Sequence, residues 1–90
     1  MDFDWDRENT SHIGSHKVTP QEAEEVLAND PLIVQFQQYG REERFLVLGQ
    51  TKAGRLLAVV YTERGNKIRV VTAYTMTKRL EKIYFRERAR

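Results

Sequence analysis

Residues Glu43–Tyr74, ERFLVLGQTKAGRLLAVVYTERGNKIRVVTAY, contain three runs of strand-forming residues separated by short glycine-containing turns. The runs are Arg44–Gly49, Leu56–Thr62 and Lys67–Tyr74, and the turns are Thr51–Gly54 and Arg64–Asn66. Because each gap is only a few residues long, consecutive runs can pair only as antiparallel neighbours. The middle run is apolar over LLAVVY, which is typical of a central strand covered on both faces. The sequence therefore predicts a three-stranded antiparallel meander.

The third run also carries an alternation that predicts which side chains share a face of the sheet. In a regular strand, successive side chains point to opposite faces. The two predicted sets are Val70, Thr72 and Tyr74 on one face, and Arg69, Val71 and Ala73 on the other.

Two capped helices are predicted before the meander. Phe3 and Trp5 alternate with aspartates, which favours a short strand with its aromatic side chains turned inward. Asp6 is a suitable N-cap for a first helix over Arg7–Ser15. The second helix has a Thr-Pro-x-Glu start, which is a capping box with proline at the first helical position. The residues that define this second helix are Thr19, Pro20 and Glu22 at its start, Ala23, Val26 and Leu27 on its buried stripe, and Pro31 beyond its end.

The remaining elements complete an α+β domain. Leu32–Phe36 is predicted as a strand that leads through a polar turn, Gln37–Glu42, into the meander. After Tyr74 the apolar spacing becomes helical, with Met76, Leu80, Ile83 and Tyr84 on one face. The predicted order is βααββββα, with helices packed on an antiparallel sheet of about four to five strands. Ninety residues fit one domain, so residues 1–90 are predicted to fold as a unit.

The charge is distributed unevenly along the chain. Residues 1–30 carry a balance of −6 and residues 64–90 a balance of +7, although the whole chain carries only +2. A basic C-terminal third favours a polyanion or an acidic protein as partner. The alternative is that the two ends neutralise one another in the fold.

Several classes of site and location are disfavoured by the composition. The chain has no cysteine, which excludes disulfides and thiolate metal sites. It has no glycine-rich phosphate loop, nucleophile elbow or metal-ligand cluster, so no cofactor is expected. The acidic N-terminus does not match a signal peptide, and no run approaches the roughly 20 apolar residues of a membrane span. A cytoplasmic protein without membrane contact is therefore expected.

The chain resembles the BrnT-type toxins of bacterial type II toxin–antitoxin systems over nearly its whole length. The matching features, in order, are Trp5-Asp6, His16 before Val18-Thr19-Pro20, Gly54-Arg55-Leu56-Leu57, Ile68-Arg69 and Thr72-Ala73. The resemblance implies a RelE-like fold and an endoribonuclease that inhibits translation by cutting RNA. It implies metal-independent attack of the RNA 2′-hydroxyl on the neighbouring phosphate. It also implies a cognate ribbon–helix–helix antitoxin, which covers the active face and brings the pair to operator DNA.

The chain departs from the family pattern at three positions. Lys17 stands where the family usually has glycine, and Tyr74 stands where it usually has arginine. Leu80 occupies the position in the last helix where the family commonly has an acidic residue, and Glu81 is adjacent to it. Without this arginine the chain lacks a guanidinium group that is always positively charged and that can donate two parallel hydrogen bonds to phosphate. A catalytically degenerate binding module for an antitoxin-like protein or RNA is therefore the alternative function.

Candidate site residues follow from these motifs. The catalytic candidates are Arg69, Lys78, Arg79 and His16, and the RNA-binding candidates are Arg44, Tyr74 and Lys82. Arg69 is expected either to hold phosphate or to pair with Asp4 or Asp6. Lys78 and Arg79 open the last helix, where partial positive charge favours anions.

The two histidines allow more than one role. His12 and His16 are four residues apart, but no third metal ligand accompanies them, so no metal site is expected. His16 suits acid–base catalysis or a hydrogen bond at the helix end. Alanine at Arg69 and Lys78 is expected to abolish growth inhibition without affecting the fold.

Overall fold

The computed structural model describes residues 1–89 and contains the predicted α+β order, βααββββα. The elements are β1 (Asp2–Phe3), α1 (Arg7–Ser15), α2 (Pro20–Ala28), β2 (Leu32–Tyr39), β3 (Glu42–Gln50), β4 (Leu56–Arg64), β5 (Lys67–Thr75) and α3 (Lys78–Arg88). The fold class and the order of elements confirm the prediction.

The strands form one five-stranded sheet in the order β1-β5-β4-β3-β2. The predicted meander is present, because β3, β4 and β5 pair as antiparallel neighbours. The sheet is mixed rather than fully antiparallel, since β1 pairs with β5 in parallel. The short gaps of the meander force antiparallel pairing, whereas most of the chain separates β1 from β5 and leaves their relative direction open.

Strand β2 is longer than predicted. The expected polar turn over Gln37–Glu42 is reduced to Gly40 and Arg41, and Gly40 has the left-handed φ of 62° that such a hairpin requires. The glutamines are strand residues, since Gln37 and Gln38 pair with Arg44 and Glu43 of β3. Polar side chains are accommodated because these β2 residues are exposed.

Both N-terminal helices begin at the predicted caps. Asp6 accepts from the Asn9 N–H, and the Asn9 side chain accepts in return from the Asp6 N–H. Thr19 and Glu22 form the predicted capping box of α2. Each pair satisfies amides that would otherwise lack partners at a helix start. The role of Asn9 in the first capping box was not predicted, because Glu or Gln usually occupies that position.

The turn after α1 keeps a glycine-like backbone although lysine occupies it. Lys17 has a φ of 61°, and its N–H donates to the Gly14 carbonyl while the Val18 N–H donates to the Ile13 carbonyl. This pair of bonds is a Schellman motif, in which the left-handed residue is usually glycine. The departure at Lys17 therefore leaves the turn itself unchanged.

The sheet carries a separate hydrophobic cluster on each face. Face 1 carries Val47, Val59 and Ala73 and packs against α1 and α2. Face 2 carries Leu48 and Ala58 and packs against α3. The central strand β4 contributes buried residues to both clusters, as its continuous apolar run predicted.

A β-bulge in β5 changes which of its side chains lie on the same face of the sheet. Tyr61 pairs with Val70 while Val60 pairs with Thr72, so Val71 is the extra residue. An extra residue reverses the alternation beyond it. Val70 and Ala73 therefore both face α1 and α2. The alternation predicted over residues 69–74 is wrong at this point, and Arg69 lies on face 2 together with Tyr74.

Gly49 allows α2 to pack closely on β3. A Cβ atom at this position would lie 2.9 Å from Val26 Cγ1, closer than packed side chains approach. We expect Gly49→Ala to lower the free energy of unfolding by about 1–3 kcal/mol, the usual cost of overpacking a core. Urea denaturation measures this change, and Gly14→Ala is the control because a Cβ there meets open space. Equal stability of the Gly49 variant and the wild type would contradict the close packing.

Candidate functional site

Two clefts meet at Arg44 on face 2, and the larger is also lined by residues of α1 and of the β5 bulge. The larger, the arginine cleft, has a volume of ≈ 370 Å³ and is lined by Glu8, Asn9, His12, Glu42, Arg44, Arg64, Arg69, Val70 and Val71. The smaller, the tyrosine cleft, has a volume of ≈ 170 Å³ and is lined by Gln35, Gln37, Arg44, Leu46, Val60 and Tyr74. We call the two clefts together the groove.

Arg69 is held at the arginine cleft by carboxylates from the start of the chain. Its guanidinium nitrogens lie 3.0 Å and 3.2 Å from the two Asp6 carboxylate oxygens, 3.5 Å from Glu8 and 3.6 Å from Asp4. The Arg69 side chain is only 8 % exposed. Its hydrogen bonds to Asp6, opposed by burial and helped by the other carboxylates, raise the pKa of Arg69. The ion pair that the sequence left open as an alternative is therefore present, and the guanidinium still lines the cleft.

Asn9 joins α1 to the bulge of β5. Its side-chain amide donates to the Val70 carbonyl at 3.1 Å and to the Asp4 carbonyl at 3.0 Å, and the residue is 3 % exposed. A buried carbonyl without a partner is costly, so this amide stabilises the bulged backbone. Asn9 was not predicted as a site residue, because its long-range partner is far away in sequence.

The other two arginines of the cleft are also paired, but their side chains are more exposed than that of Arg69. Arg44 Nε lies 2.8 Å from Glu42, and its guanidinium lies over the Tyr39 ring at 4.7 Å from the centroid. Arg64 lies 3.6 Å from Asp4, with its side chain 60 % exposed. Exposed ion pairs of this kind contribute little net energy, so an incoming anion can compete for these guanidiniums.

Ion pairs between the two ends of the chain neutralise part of the charge asymmetry. Acidic residues of the first 30 join basic residues of the last 27 in pairs such as Asp4–Arg64, Asp6–Arg69 and Asp30–Arg88. The alternative that the two ends neutralise one another therefore holds for these pairs. Four other cations of α3, Lys78, Arg79, Lys82 and Arg86, form no ion pair within residues 1–89.

A chain of aromatic rings connects the two clefts along α1. His12 lines the arginine cleft, and its ring centroid lies 5.4 Å from that of His16. The His16 centroid lies 6.3 Å from that of Tyr74, which lines the tyrosine cleft. In residues 1–89 no three His, Cys, Asp or Glu side chains are grouped as metal ligands. Of the two histidines, His12 is the one that lines the cleft with the arginines. Its four-residue spacing from His16 did not indicate this position, because that spacing suggested only a pair of metal ligands.

The basic residues of α3 lie outside both clefts. Lys78, Arg79 and Lys82 are exposed, and within residues 1–89 no carboxylate lies within 4 Å of their charged groups. Lys78, Lys82 and Arg86 recur every four residues and so form one stripe along the helix. The Thr77 side chain already accepts from the Leu80 N–H at the helix start. Helix α3 therefore carries a group of unpaired cations, and it shares a hydrophobic cluster with Leu46 and Tyr74, which line the groove.

The Asp6–Arg69 pair gives stability a defined pH dependence. The Arg69 guanidinium, with the Asn9 N–H, holds the pKa of Asp6 below its ordinary value of about 4. The contribution of the pair is therefore complete above about pH 5 and is lost as the pH falls through the lower folded-state pKa. We expect the stability difference between wild type and Asp6→Asn to shrink from pH 5 to pH 3 in urea denaturation. Asparagine caps helices about as well as aspartate, so a difference that stayed constant would contradict the account.

The structure brings together four of the seven predicted site residues. Arg44, Arg69 and Tyr74 line the groove, and His16 contacts the Tyr74 ring. The other three, Lys78, Arg79 and Lys82, lie on α3 beside it. Sequence reasoning missed the lining residues His12, Arg64, Gln35 and Gln37. The only available signal was for His12, which is one helical turn from His16.

One family model matches most of the chain, including the residues of both clefts. A family model described as "Ribonuclease toxin, BrnT, of type II toxin-antitoxin system" matches residues 5–79 of the 90. Every residue that lines the two clefts lies within that range. No curated protein and no solved structure matches the chain. Within residues 1–89, no helix has both the length and the apolar content of a membrane span.

Proposed function

The chain belongs to the BrnT family of ribonuclease toxins of type II toxin–antitoxin systems, and from this membership we propose that residues 1–90 act as a single-domain endoribonuclease whose substrate lies in the groove. The observation that carries the proposal is the convergence of three arginines and an imidazole in one cleft. Arginine suits phosphate because its planar fork donates two parallel hydrogen bonds.

The second cleft suits the bases of a single strand. Tyr74 offers an aromatic face for stacking, and Gln35 and Gln37 offer amides that can both donate to and accept from base edges. Tyr74 thus replaces the arginine usual in the family with a side chain that binds bases rather than phosphate. The α3 residues Lys78, Arg79 and Lys82 extend the positive charge along the path of the RNA backbone.

We assign the chemistry to the arginine cleft and to His16, whose ring contacts that of His12 beside it. The RNA 2′-hydroxyl loses its proton to His12 and its oxygen attacks the neighbouring phosphorus. The bond from phosphorus to the 5′ oxygen breaks, leaving a 2′,3′-cyclic phosphate and a 5′ hydroxyl that takes a proton from His16. Arg44, Arg64 and Arg69 stabilise the charge that develops on the phosphate oxygens, and such stabilisation is often the main source of rate enhancement in an enzyme.

His12 is the proton acceptor in this scheme because it lines the cleft together with the three arginines. In the described part of the chain, the imidazole nitrogens of His12 make no hydrogen bond. An imidazole nitrogen that makes no hydrogen bond can accept the proton of the 2′-hydroxyl, which is the role of a general base.

The family also implies an antitoxin partner and an RNA substrate. We propose that the antitoxin is a ribbon–helix–helix protein that links the toxin to operator DNA only indirectly. We further propose that the toxin acts in the cytoplasm, where cleavage of RNA inhibits translation.

Cleavage of RNA by the purified chain tests the proposal. We expect cleavage in EDTA at a rate equal to that in magnesium, because the scheme uses side chains alone. The double variant Lys78→Ala/Lys82→Ala should bind RNA more weakly and reduce the slope of log K against log salt by about 1.4, at roughly 0.7 per phosphate contact. Lys52→Ala is the matched control, since Lys52 lies in the turn between β3 and β4. Loss of cleavage in EDTA would contradict the scheme.

A binding module without catalysis is the second candidate function. It is favoured by Tyr74 in place of arginine and by Leu80, which packs on the hydrophobic cluster of α3 where the family has an acid. RNA binding with the expected salt dependence but without cleavage would support this candidate over the first.

A further inference from the structure

Face 1 has an aromatic row that the groove does not use; two of its rings are half-buried and the third, at the end of the row, is exposed. Phe36, Phe45 and Tyr61 occupy paired positions on β2, β3 and β4. Both neighbouring ring pairs have centroids 5.2 Å apart. Phe36 at the end of the row is 50 % exposed, and Ile33 on the same face is 58 % exposed. Contiguous apolar surface of this kind on a small protein is typical of an interaction site.

The row ends at an open edge of the sheet. Strand β2 has β3 on one side and no strand on the other in the described chain. Its eight residues, LIVQFQQY, include no charged residue and no proline. Edge strands that must remain unpaired are usually protected by charge, proline or a covering element. An uncharged eight-residue edge is suited to pairing with an extended segment of another chain.

The charges beside the row define the partner. Glu43 and Glu63 are exposed and lie on face 1, two residues from Phe45 and Tyr61 along their strands. Among residues 1–89 no lysine or arginine nitrogen lies within 4 Å of either carboxylate. The strands β2–β5 place no lysine or arginine on face 1, whereas Arg44, Arg64 and Arg69 are all on face 2. Face 1 therefore attracts basic side chains and repels phosphate.

We propose that β2 and the aromatic row form a docking surface for an extended segment of a partner protein. The segment adds a strand to the β2 edge, places an apolar side chain against Phe36 and presents lysine or arginine toward Glu43 and Glu63. A second copy of this chain fits less well, because its own β2 edge and the strand residues of its face 1 offer no cation to these carboxylates. The partner is the cognate antitoxin, and this identification rests on the proposed function. The antitoxin then binds this side of the sheet in addition to any contact with the groove.

Binding of the purified cognate antitoxin to full-length variants tests the proposal. Phe36→Ser removes the apolar contact, and Phe85→Ser is the matched control because Phe85 is also 50 % exposed but lies on α3. We expect Phe36→Ser to raise the dissociation constant at least about tenfold, the usual effect of losing a central aromatic contact. The control should stay within about twofold of the wild type. The double variant Glu43→Lys/Glu63→Lys should also weaken binding and remove its salt dependence.

Three further measurements keep the result unambiguous. RNA cleavage and thermal unfolding of Phe36→Ser should equal those of the wild type, and sedimentation should find the free chain monomeric. The proposal is overturned if Phe36→Ser binds antitoxin as the wild type does, or if the antitoxin does not bind the wild type. It is also overturned if Phe36→Ser loses only self-association or only RNA binding. Cleavage of RNA by the wild type in any of these cases leaves the ribonuclease assignment intact.

Discussion

Arg69→Ala is expected to lower the free energy of unfolding by about 2–4 kcal/mol. Arg69 is nearly buried and binds Asp6 through both guanidinium nitrogens, so its loss removes charged hydrogen bonds worth about 1.5–3 kcal/mol each. The substitution also leaves Asp4, Asp6 and Glu8 close together without a cation. The cost stays below that of a fully buried pair because the Asp6 side chain is 51 % exposed.

Arg64→Ala is the matched control for this loss. Arg64 and Arg69 both lie 3.6 Å from the same Asp4 oxygen, but the Arg64 side chain is 60 % exposed. Urea denaturation should therefore find a change below about 1 kcal/mol for Arg64→Ala. Equal stabilities of the two variants would contradict the structural role of Arg69. The expectation that Arg69→Ala leaves the fold intact is changed accordingly, and Lys78→Ala is the better variant for testing growth inhibition.

His12→Gln is expected to lower the rate of RNA cleavage by about 10²–10⁴-fold, the usual contribution of a general acid or base. Glutamine keeps a polar side chain of similar reach but does not exchange a proton near neutral pH. The dissociation constant for RNA should stay within about threefold of the wild type, because the arginines of the cleft are unchanged. Single-turnover cleavage separates the two quantities.

His16→Gln tests the second proton transfer of the scheme. The two histidines are one helical turn apart and their rings are in contact, but His12 alone of the two lines the arginine cleft. We expect His16→Gln also to lower the rate by about 10²–10⁴-fold, since its assigned step is protonation of the leaving oxygen. An unchanged rate for His12→Gln would contradict its assignment as the base.

Local chemistry made the helices and the meander predictable from sequence. Asp6 and Thr19 offer side-chain oxygens at the right distance before a helical segment, so the start of each helix is encoded within four residues. The turns of the meander are so short that each strand can pair with the next only as an antiparallel neighbour. These features depend on neighbours in the chain, which a sequence displays directly.

The arrangement of the site was less predictable because long-range contacts decide it. The bulge at Val71 reverses the faces of β5 and places Arg69 beside the groove. That bulge is stabilised by Asn9, whose partner Val70 is 61 residues away. Likewise, Arg69 was recognised as an unusual arginine among apolar neighbours, but its three carboxylate partners come from a distant segment. Residue types indicated the candidates, and tertiary contacts determined which of them meet.

Controlled expression of the chain in a bacterium, with growth and total RNA integrity followed together, tests the central claim most directly. The account predicts growth arrest with RNA cleavage for the wild type, and normal growth with intact RNA for His12→Gln at equal protein level. Normal growth and intact RNA with a folded, abundant wild-type protein would contradict the ribonuclease assignment and favour the binding module.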